Sequence, residues 1–439
     1  MKKFYVVLVV IAMVLVSSIA MAVDVNVGGS VQIRSRNFNT MNFNKDAKLN
    51  QVDTQERVIM DISATSDNVK GKISLWNDFE DWGRLETNQG NGFGSTTGTG
   101  VSGANATGTS TAGHFGFKEA WLSFNLPGIP VNVTAGHQYL QLGNGWFLQN
   151  KHFGSDAWVV ANVTGPNTLA FVNIKVNEGN ASFASDDADA YAVLDVFKIN
   201  EDISVGVDIA NVKVRPNVGG PFAGTDLLNY SLNFNGKFGI LKLMAQADVQ
   251  SGNIKPGNGA PEPKFKGYEV VVQGNVGLDP VTINFLLAQG SGAKSTDTDV
   301  KQYINFLDIN PRYTFLYEYK LGTAAFGGPY APAPLGNSAH TGFANTTAAS
   351  VGVMFAAGKS LNLGLDAYWL QATEKITNGV GEESDEIGIE VDAKVNWKLY
   401  DNLSWNWDLG YFKPGKAYKT AAGTTDAAMG VQGILALKF

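Results

Sequence analysis

The chain contains no cysteine, which excludes a whole class of chemistry at once. Disulfide bridges, thiolate catalysis, covalent haem attachment, iron–sulfur clusters and cysteine-ligated zinc all need a thiol. Exported proteins either pair their cysteines or dispense with them, so the absence is compatible with export. Charge is also scarce, at 17% of residues, whereas glycine is abundant at 50 residues. This balance favours many strands and tight turns over a helical protein.

A long apolar run occurs only at the amino terminus. Two lysines precede an apolar stretch from Phe4 to Val16, and Ala20-Met21-Ala22 provides the small side chains of a cleavage site. We therefore predict a signal peptide over residues 1–22 and a mature chain that begins near Val23. An uncleaved membrane anchor is the alternative, which the cleavage site disfavours. Every later apolar stretch is interrupted well short of the ~20 residues that a transmembrane helix needs.

Cations and histidines are few. Lysine and arginine total 33 against 40 acids, a formal net charge of −7 that removal of the signal peptide makes more negative. Phosphate binding requires clustered cations, so we exclude nucleic acid as a partner. Of the four histidines, His114, His152 and His340 fall in predicted loops. We therefore expect no catalytic site, no cofactor and no bound metal, and we interpret His137 as a lumen or rim residue.

The dominant signal along the chain is alternation with a period of two. From Glu386 to Leu399, apolar residues such as Ile389 and Trp397 take one set of alternate positions, and charged or polar residues take the other. A strand separates two such sets onto opposite faces, whereas a helix mixes them. The pattern recurs at 55–64, 118–126, 131–138, 230–238, 241–249, 268–276, 281–287 and 403–411. The sequence therefore predicts many amphipathic β-strands.

The connections between these strands alternate between short and long. The short ones are 67–71, 127–130, 200–202, 239, 279–280, 358–360 and 400–402. The long ones are 37–51, 81–114, 140–154, 178–188, 215–225, 251–264, 290–345, 372–384 and 413–425. Short turns at one rim and long loops at the other are typical of outer-membrane barrels.

Strand number follows from the loops. With both termini on one side, the long loops predict an all-β transmembrane antiparallel up-and-down β-barrel of about 18 strands. A further hairpin at Tyr303–Tyr319 would raise the number to about 20, and about 16 is also open. No linker divides the chain, so we predict one domain over 23–439 with long extracellular loops at 81–114 and 290–345.

Aromatic residues near strand ends support a membrane setting, because amphipathic rings collect at both interfaces. We interpret the following as girdle residues, with a core position as the alternative for each: Trp76, Trp82, Trp121, Trp146, Trp158, Tyr268, Tyr368, Trp369, Trp397, Tyr400 and Tyr411. The final segment alternates through Val431 and Leu435 to Phe439. A terminal aromatic on an amphipathic strand resembles the assembly signal of outer-membrane barrels, so we expect the barrel-assembly machinery as a partner of Phe439.

Two groups of short motifs resemble porin-like barrels related to the alginate exporters. The first group is Lys118-Glu119-Ala120-Trp121-Leu122, Gly136-His137-Gln138, Leu142-Gly143-Asn144-Gly145 and Gly154-Ser155-Asp156-Ala157. The second is Ile387-Gly388-Ile389-Glu390-Val391-Asp392, Leu403, Gly410-Tyr411-Phe412 and Pro414-Gly415. His137 stands where the family usually has arginine, and Ala157 where it has glycine. The resemblance covers roughly a third of the chain and implies an 18-stranded barrel. It does not imply alginate, because a polyanion exporter needs a lumen lined by arginine.

If hydrocarbon contacts the apolar face, the polar face lines water and its charges select solutes. Both signs occur there, so a transverse field would orient dipolar solutes. Pairing across adjacent strands, which stiffens the wall, is the equal alternative for each charge. The predicted pore-lining residues are Arg34, Arg36, Arg57, Asp61, Lys72, Glu119, Asp208, Lys242, Asp248, Glu269, Glu390, Asp392, Lys394 and Asp408. Two acidic clusters, 186–189 and 382–386, fit no 12-residue calcium loop, and we interpret them as solvated loop charge.

These features predict an outer-membrane porin for passive diffusion of small hydrophilic solutes or ions, in contact with lipid and lipopolysaccharide and with a homo-oligomer left open. A substrate-specific channel or exporter is the first alternative, in which 290–345 folds inward to narrow the lumen. A barrel that sheathes an outer-membrane electron-transfer complex is the second. A secreted adhesin of soluble β structure is disfavoured by the terminal Phe439.

Overall fold

The period-two segments all form strands, because a pleated strand sends successive side chains to opposite faces. The structure is a computed structural model, and it describes residues 23–47, 50–81, 116–151, 154–178, 187–215, 224–255, 261–294, 296–306, 313–319 and 342–439. The strands are β1 (Asp24–Asn39), β2 (Asn50–Ser66), β3 (Val69–Asp81), β4 (Gly116–Asn125), β5 (Val131–Gln138), β6 (Ser155–Thr164), β7 (Asn167–Asn177), β8 (Ala188–Lys198), β9 (Ile203–Val214), β10 (Thr225–Phe238), β11 (Leu241–Ile254), β12 (Tyr268–Leu278), β13 (Val281–Gly290), β14 (Thr346–Ala356), β15 (Leu361–Thr377), β16 (Glu383–Tyr400), β17 (Leu403–Pro414) and β18 (Ala428–Lys438). Short 3-10 helices occur at Lys45–Ala47 and Lys416–Tyr418. The predicted signal peptide, residues 1–22, and most of the loop 81–114 lie outside the described residues.

Each strand pairs antiparallel with its neighbour in sequence, and β18 returns to pair with β1. The closing pair runs from Ser30 opposite Lys438 to Asn39 opposite Met429. The 18 strands thus form a closed up-and-down barrel without a free edge. Eight connections of two to five residues lie at one end, the short-turn rim, and the other nine lie at the opposite end, the long-loop rim. The predicted fold class is confirmed.

The two faces of the wall carry the opposite kinds of side chain from those of a soluble protein. On β10, Tyr230 and Leu232 are 41% and 60% exposed on the outer face, whereas Asn229, Ser231 and Asn233 are buried at 1%, 5% and 4%. So much outward apolar surface would drive association in water, and it matches the apolar band of a barrel surrounded by hydrocarbon. The alternate, polar set faces the lumen. Within the described ranges, no helix is long and apolar enough to span a membrane.

At the long-loop rim one predicted loop is wrong, and one alternative that the sequence left open does not apply. Residues 372–384, expected as a loop, largely belong to β15 and β16, which stay paired up to Thr377 opposite Glu383. Register shifts between Leu370 and Ile376 absorb the irregular sequence there, as β-bulges do. The alternative is the hairpin at Tyr303–Tyr319, whose described parts add no strand to the sheet. The strand number is therefore 18, and neither 16 nor 20 applies.

The acidic clusters at this rim are engaged in ion pairs. The Lys419 ammonium lies 3.2 Å from Glu382, and the Lys416 ammonium lies 2.8 Å from Glu386. In the other cluster, Lys175 lies 2.8 Å from Asp189. Asp186 lies outside the described residues. The Glu382 and Glu386 side chains are 59% and 53% exposed, which agrees with the expectation of solvated loop charge, whereas Asp189 is buried at 8% and departs from it.

Apolar side chains from the long loops fill much of the lumen. One buried cluster joins Leu142 and Phe147 from the β5–β6 loop, and Ile304 from the β13–β14 loop, to the inner faces of β6 to β9. The second joins Leu316 and Phe343, also from the β13–β14 loop, to the inner faces of β13 to β17. The inner wall beneath these loops is alanine-, valine- and leucine-rich, because it packs against protein and not against water.

Candidate constriction of the lumen

The β5–β6 loop extends through the lumen and docks on another part of the wall. Its tip residue Asn144 accepts a hydrogen bond from Asn235 Nδ2 at 2.9 Å and donates through its own Nδ2 to the Ala245 carbonyl at 2.8 Å. The Asn144 backbone N–H also donates to Gln246 Oε1 at 2.8 Å. These partners lie on β10 and β11, five strands around the ring from β5. The loop therefore joins two positions of the wall that are five strands apart.

Glycine at position 143 lets the tip approach the wall closely. Its φ of 52° lies in the left-handed region that other residues rarely adopt. A Cβ there would lie 2.9 Å from Asp208 Oδ2 and 3.1 Å from Gln246 Oε1. The Leu142-Gly143-Asn144-Gly145 motif singled out in the sequence is thus a docking tip, and its glycine is required by the wall that it contacts.

A second inward segment, Val300–Phe306, meets the first loop in the lumen. Gln250 on β11 clamps Ile304 on both sides, because its Nε2 donates to the Ile304 carbonyl at 2.5 Å and its Oε1 accepts the Ile304 N–H at 3.1 Å. The Phe306 N–H donates to the Phe147 carbonyl at 2.8 Å. The rings of Phe147 and Phe306 stack with centroids 6.2 Å apart. The two loops therefore form one continuous partition.

Two ion pairs hold the residues at the start of this segment. Lys301 Nζ lies 2.5 Å from Asp297 Oδ1, and Lys266 Nζ lies 2.6 Å from Asp299 Oδ2. The hydrogen bond from the Lys301 ammonium holds the pKa of the Asp297 carboxyl below its usual range, and Lys266 does the same for the pKa of Asp299. Both carboxylates are therefore ionised near neutral pH and keep their lysines in place.

A third inward segment, 313–319, is held by carboxylates of the wall. Glu390 accepts the backbone N–H groups of Leu316 and Tyr317 at 2.5 and 2.8 Å. Asp392 accepts the N–H of Phe315 at 2.9 Å. Both carboxylates are buried, at 0% and 1% exposed. Because the three N–H groups belong to the consecutive residues Phe315, Leu316 and Tyr317, this pair acts as a clamp on the segment.

The end of the third segment reaches the closing strands. Arg34 Nη1 donates to Tyr319 Oη at 3.2 Å, and Arg34 Nε donates to Gln55 Oε1 at 3.1 Å. On the same strand, Arg36 makes a two-pronged ion pair with Asp53 at 2.7 and 2.9 Å. The partition thus extends from β10 and β11 to β1.

The inner faces of β2, β3 and β4 lie beside this partition, and neither apolar cluster includes a residue of these strands. Lys72 lies between Glu119, at 2.9 Å, and Asp61, at 3.6 Å. Arg57 and Lys118 both lie over the Trp76 ring, each 5.4 Å from its centroid. We call these inner faces of β2, β3 and β4 the polar arc. Its described charged side chains are half-exposed at the level of the inward segments.

Three carboxylates lie in one row on the opposite wall. Asp248 on β11 is the register partner of Glu269 on β12, and both Asp208 and Asp248 are register partners of Ser231. All three acids are at most 2% exposed. No group of three acids or histidines among the described residues is arranged to hold a metal ion. The row lies beneath the docked loops and away from the polar arc.

Solved structures match the chain over nearly its whole length. A BenF-like porin from Pseudomonas fluorescens Pf-5 matches with a TM-score of 0.55 at 11% identity, over 95% of this chain and 98% of its own. The outer membrane protein OpdK from Pseudomonas aeruginosa matches with a TM-score of 0.55 at 9% identity, over 94% and 98%. OccK2 (OpdF) of the same organism, in complex with glucuronate, matches with a TM-score of 0.53 at 9% identity, over 95% and 96%.

The fold is that of an outer-membrane porin. No protein-family model and no curated protein matches the chain. At these identities the likeness is one of fold, and it supports the porin part of the sequence resemblance but not its alginate-export-like part.

Within this porin fold, the predicted pore-lining residues all share the parity of the lumen-facing set. They separate into three groups that alternation did not distinguish. The polar arc and the adjoining β1 hold Arg34, Arg36, Arg57, Asp61, Lys72 and Glu119. Asp208, Asp248, Glu269, Glu390 and Asp392 lie beneath inward segments. Lys394 and Asp408 lie on adjacent strands, Lys394 pairs with Asp366 at 2.9 Å, and Lys242 lies close to the short-turn rim.

Several aromatic residues assigned to the girdle lie inside the barrel. Trp76, Trp146 and Tyr368 are buried at 5%, 1% and 6%, and Trp121 donates its Nε1–H to the lumen-facing Glu119 at 2.9 Å. The parity of the strand already carried this signal, because Trp121 is two residues from Glu119 and shares its face. The outward rings are Trp158, Tyr268, Trp369, Trp397, Tyr400 and Tyr411, all at least 38% exposed. Trp82 lies outside the described residues.

A row of alternating charges marks the outer face near the long-loop rim. His137, placed by the sequence in the lumen or at the rim, lies in this row and pairs with Asp156 at 2.9 Å. Successive register partners across β5 to β10 are His137, Asp156, Lys175, Asp189, Lys213 and Asp226. Trp158 lies on the same face, one outward position closer to the middle of β6. Charges beside an aromatic position are typical of the level where hydrocarbon gives way to head groups.

Proposed function

We propose that this chain is an outer-membrane porin that admits small hydrophilic solutes by passive diffusion, and that its constriction prefers anions. The observation that carries the proposal is the charge balance of the polar arc and β1. Away from the short-turn rim, the described inner-face charges of β1 to β4 include five cations and three carboxylates: Arg34, Arg36, Arg57, Lys72, Lys118, Asp53, Asp61 and Glu119. A pore lined by excess cations raises the local concentration of anions.

A substrate-specific channel is the second candidate, and the inward loops favour it. Three described segments cross or narrow the lumen, so a solute must pass close to the wall and not through an open hole. One structural neighbour was solved with glucuronate, a sugar carboxylate. By analogy, small organic acids are the solutes that we propose for this arc. A polymer such as alginate would require displacement of the docked loops. The motif resemblance to alginate exporters therefore stays a resemblance, and we do not propose alginate as a solute.

The place of action that we propose is the outer membrane. The exposed apolar band would contact lipid, and the charged row with Lys175 and Lys213 would meet lipopolysaccharide head groups through cations and bound divalent ions. Export by a signal peptide over residues 1–22, assembly through Phe439 and association into a homo-oligomer remain part of this proposal. Each is testable by amino-terminal sequencing, by deletion of Phe439 and by native mass determination.

The experiment that tests the function is a reversal potential in planar bilayers across a potassium chloride gradient. Wild-type protein should prefer chloride, and Arg57→Glu should lower the ratio of chloride to potassium permeability by about fivefold or more, because a unit charge at 4 Å in water is worth about 1 kcal/mol. Lys359→Glu makes the same charge change in a turn at the short-turn rim and should have little effect. Cation preference in the wild type would contradict the proposed selectivity, and absence of any conductance would contradict the porin itself.

Swelling of liposomes in neutral sugars and in organic acids of matched size distinguishes the two candidates. A general porin admits both according to size. A substrate-specific channel swells with one class and is blocked by it in single-channel recordings.

A further inference from the structure

Two inward segments are each held by the amide side chain of one wall residue. Gln246 presents its Oε1 to the backbone N–H of Asn144 at the tip of the β5–β6 loop, 2.8 Å away. Gln250, two residues further along β11 on the same face, clamps Ile304 of the second segment through both its amide atoms. Each amide works in only one orientation, because a flipped amide would direct an N–H group at another N–H group.

A single carboxylate sets the orientation of both amides. Asp248 lies between Gln246 and Gln250 on β11, and its Oδ2 accepts Gln246 Nε2 at 2.8 Å. Its Oδ1 accepts Asn229 Nδ2 at 2.9 Å, and Asn229 Oδ1 in turn accepts Gln250 Nε2 at 3.3 Å. All four side chains are buried, at 6% exposed or less. One hydrogen-bond chain therefore runs from the loop tip to the second segment through Asp248.

We propose that Asp248 couples the docking of the two inward segments, so that they are held in and released from the lumen as one unit. A carboxylate only accepts hydrogen bonds, so it turns the NH₂ groups of Gln246 and Asn229 toward itself and leaves their oxygens for the next donors. An asparagine at this position has one acceptor and one donor, and its NH₂ would oppose one of these amides. The opposed amide would have to flip, and each flip would oppose the next hydrogen bond of the chain. The last partners are the backbone N–H groups of Asn144 and Ile304, which cannot reverse their direction.

The surroundings of Asp248 support a specific role over general stabilisation. Its register partner Glu269 and the nearby Asp208 are also acids, and all three are buried. Burying a carboxylate beside two others is costly, and apolar replacement of buried charges is often neutral or stabilising. An acid at this position is explained by the one property that an amide or apolar residue lacks, the capacity to accept from both relays at once.

The absence of cysteine makes site-specific labelling a clean test. Single cysteines at Leu142, on the loop tip, and at Ile304, on the second segment, report the release of each segment by their rate of reaction with a membrane-impermeant maleimide. Asp248→Ala removes both acceptors, and we expect labelling at both positions to accelerate about tenfold or more, as expected for the loss of hydrogen bonds to a charged group. Acceleration at one position alone, or at neither, would show separate anchors and overturn the proposal.

A charge swap provides the rescue. In the double variant Asp248→Asn with Asn229→Asp, the asparagine at 248 accepts from Gln246 and donates to the aspartate at 229, which also accepts from Gln250, so every hydrogen bond of the chain is kept. We expect wild-type labelling rates at both reporters in the double variant and faster labelling in Asp248→Asn alone. Failure of the swap to restore slow labelling would contradict the relay.

Variants of the individual links keep the test decisive if Asp248→Ala does not fold. Gln246→Leu removes an anchor of residue 142 and Gln250→Leu an anchor of residue 304, and each should also accelerate labelling at the other reporter. Acceleration confined to the directly anchored segment would overturn the proposal. Asp195→Asn, an exposed position on the outer face of β8, is the matched control and should change neither rate. The proposal rests on the proposed function only for its effect on solute passage. Labelling is measured independently of transport, so loss of conductance and loss of coupling are distinguishable.

Discussion

Glu390→Gln should release the third inward segment while leaving the barrel intact. The two carboxylate oxygens of Glu390 accept the N–H groups of Leu316 and Tyr317. A glutamine keeps one acceptor and opposes the other N–H group with its own NH₂. One hydrogen bond is lost and a buried N–H group is left unsatisfied, which costs about 1–3 kcal/mol, so local opening should become easier by about that amount.

Hydrogen exchange measures this effect directly, because the affected donors are backbone amides. We expect the protection of the Leu316 and Tyr317 amides to fall by about fivefold to 150-fold, since 1.4 kcal/mol corresponds to about a factor of ten, while amides of the strands keep their protection. Glu386→Gln makes the same change on the same strand at an exposed position paired with Lys416, and should leave both amides protected. Unchanged exchange in Glu390→Gln would refute the clamp.

Two further substitutions test the closure of the barrel and the membrane-facing surface. Gly29 exchanges two backbone hydrogen bonds with Phe439, and a Cβ there would lie 2.4 Å from the Ile59 carbonyl oxygen and 2.9 Å from the Phe439 ring. Gly29→Val should therefore destabilise the closing strands by about 1–3 kcal/mol, whereas Gly277→Val should be tolerated. The temperature at which the folded band disappears on SDS gels measures both effects. Leu232→Arg on the outer face should cost about 2–4 kcal/mol in lipid, and Asn284→Arg on the inner face should cost much less, as measured by urea unfolding in vesicles. Equal costs for the two arginines would contradict the assignment of the faces.

The wall of this barrel could be predicted from the sequence because its signal is local and periodic. Glu386–Leu399 shows perfect alternation, and the structure has β16 over Glu383–Tyr400. The alternation of short and long connections then predicted the topology. With an even number of strands and both termini on one side, few arrangements of a closed sheet remain. Errors concentrated at the long-loop rim, where bulges in β15 and β16 break the period without ending the strands.

The constriction could not be predicted in the same way, because it depends on pairs of residues far apart in sequence. Asn144 docks on Ala245, and Arg34 contacts Tyr319 across a separation of 285 residues. The loops have no period that reports such contacts. The possibility that 290–345 folds inward was raised by its length and agrees with its described segments, whereas the crossing of the β5–β6 loop was missed. Its glycine-rich tip was the available signal, because a conformation with positive φ against a polar wall requires glycine.

The wall and the constriction use charged residues differently, which reconciles an acidic chain with the cationic pore that we propose. The alternation of a strand requires only that inner-face residues be polar or pack against the loops. Acids on that face can therefore bind the inward segments by hydrogen bonds. Glu390 and Asp392 are buried and bind backbone N–H groups of the third inward segment. Arg57 and Lys72 lie on the half-exposed arc beside the partition, where we propose that a permeating ion would meet them. In this proposal the accessible charges set the selectivity, and the formal net charge of −7 does not predict its sign.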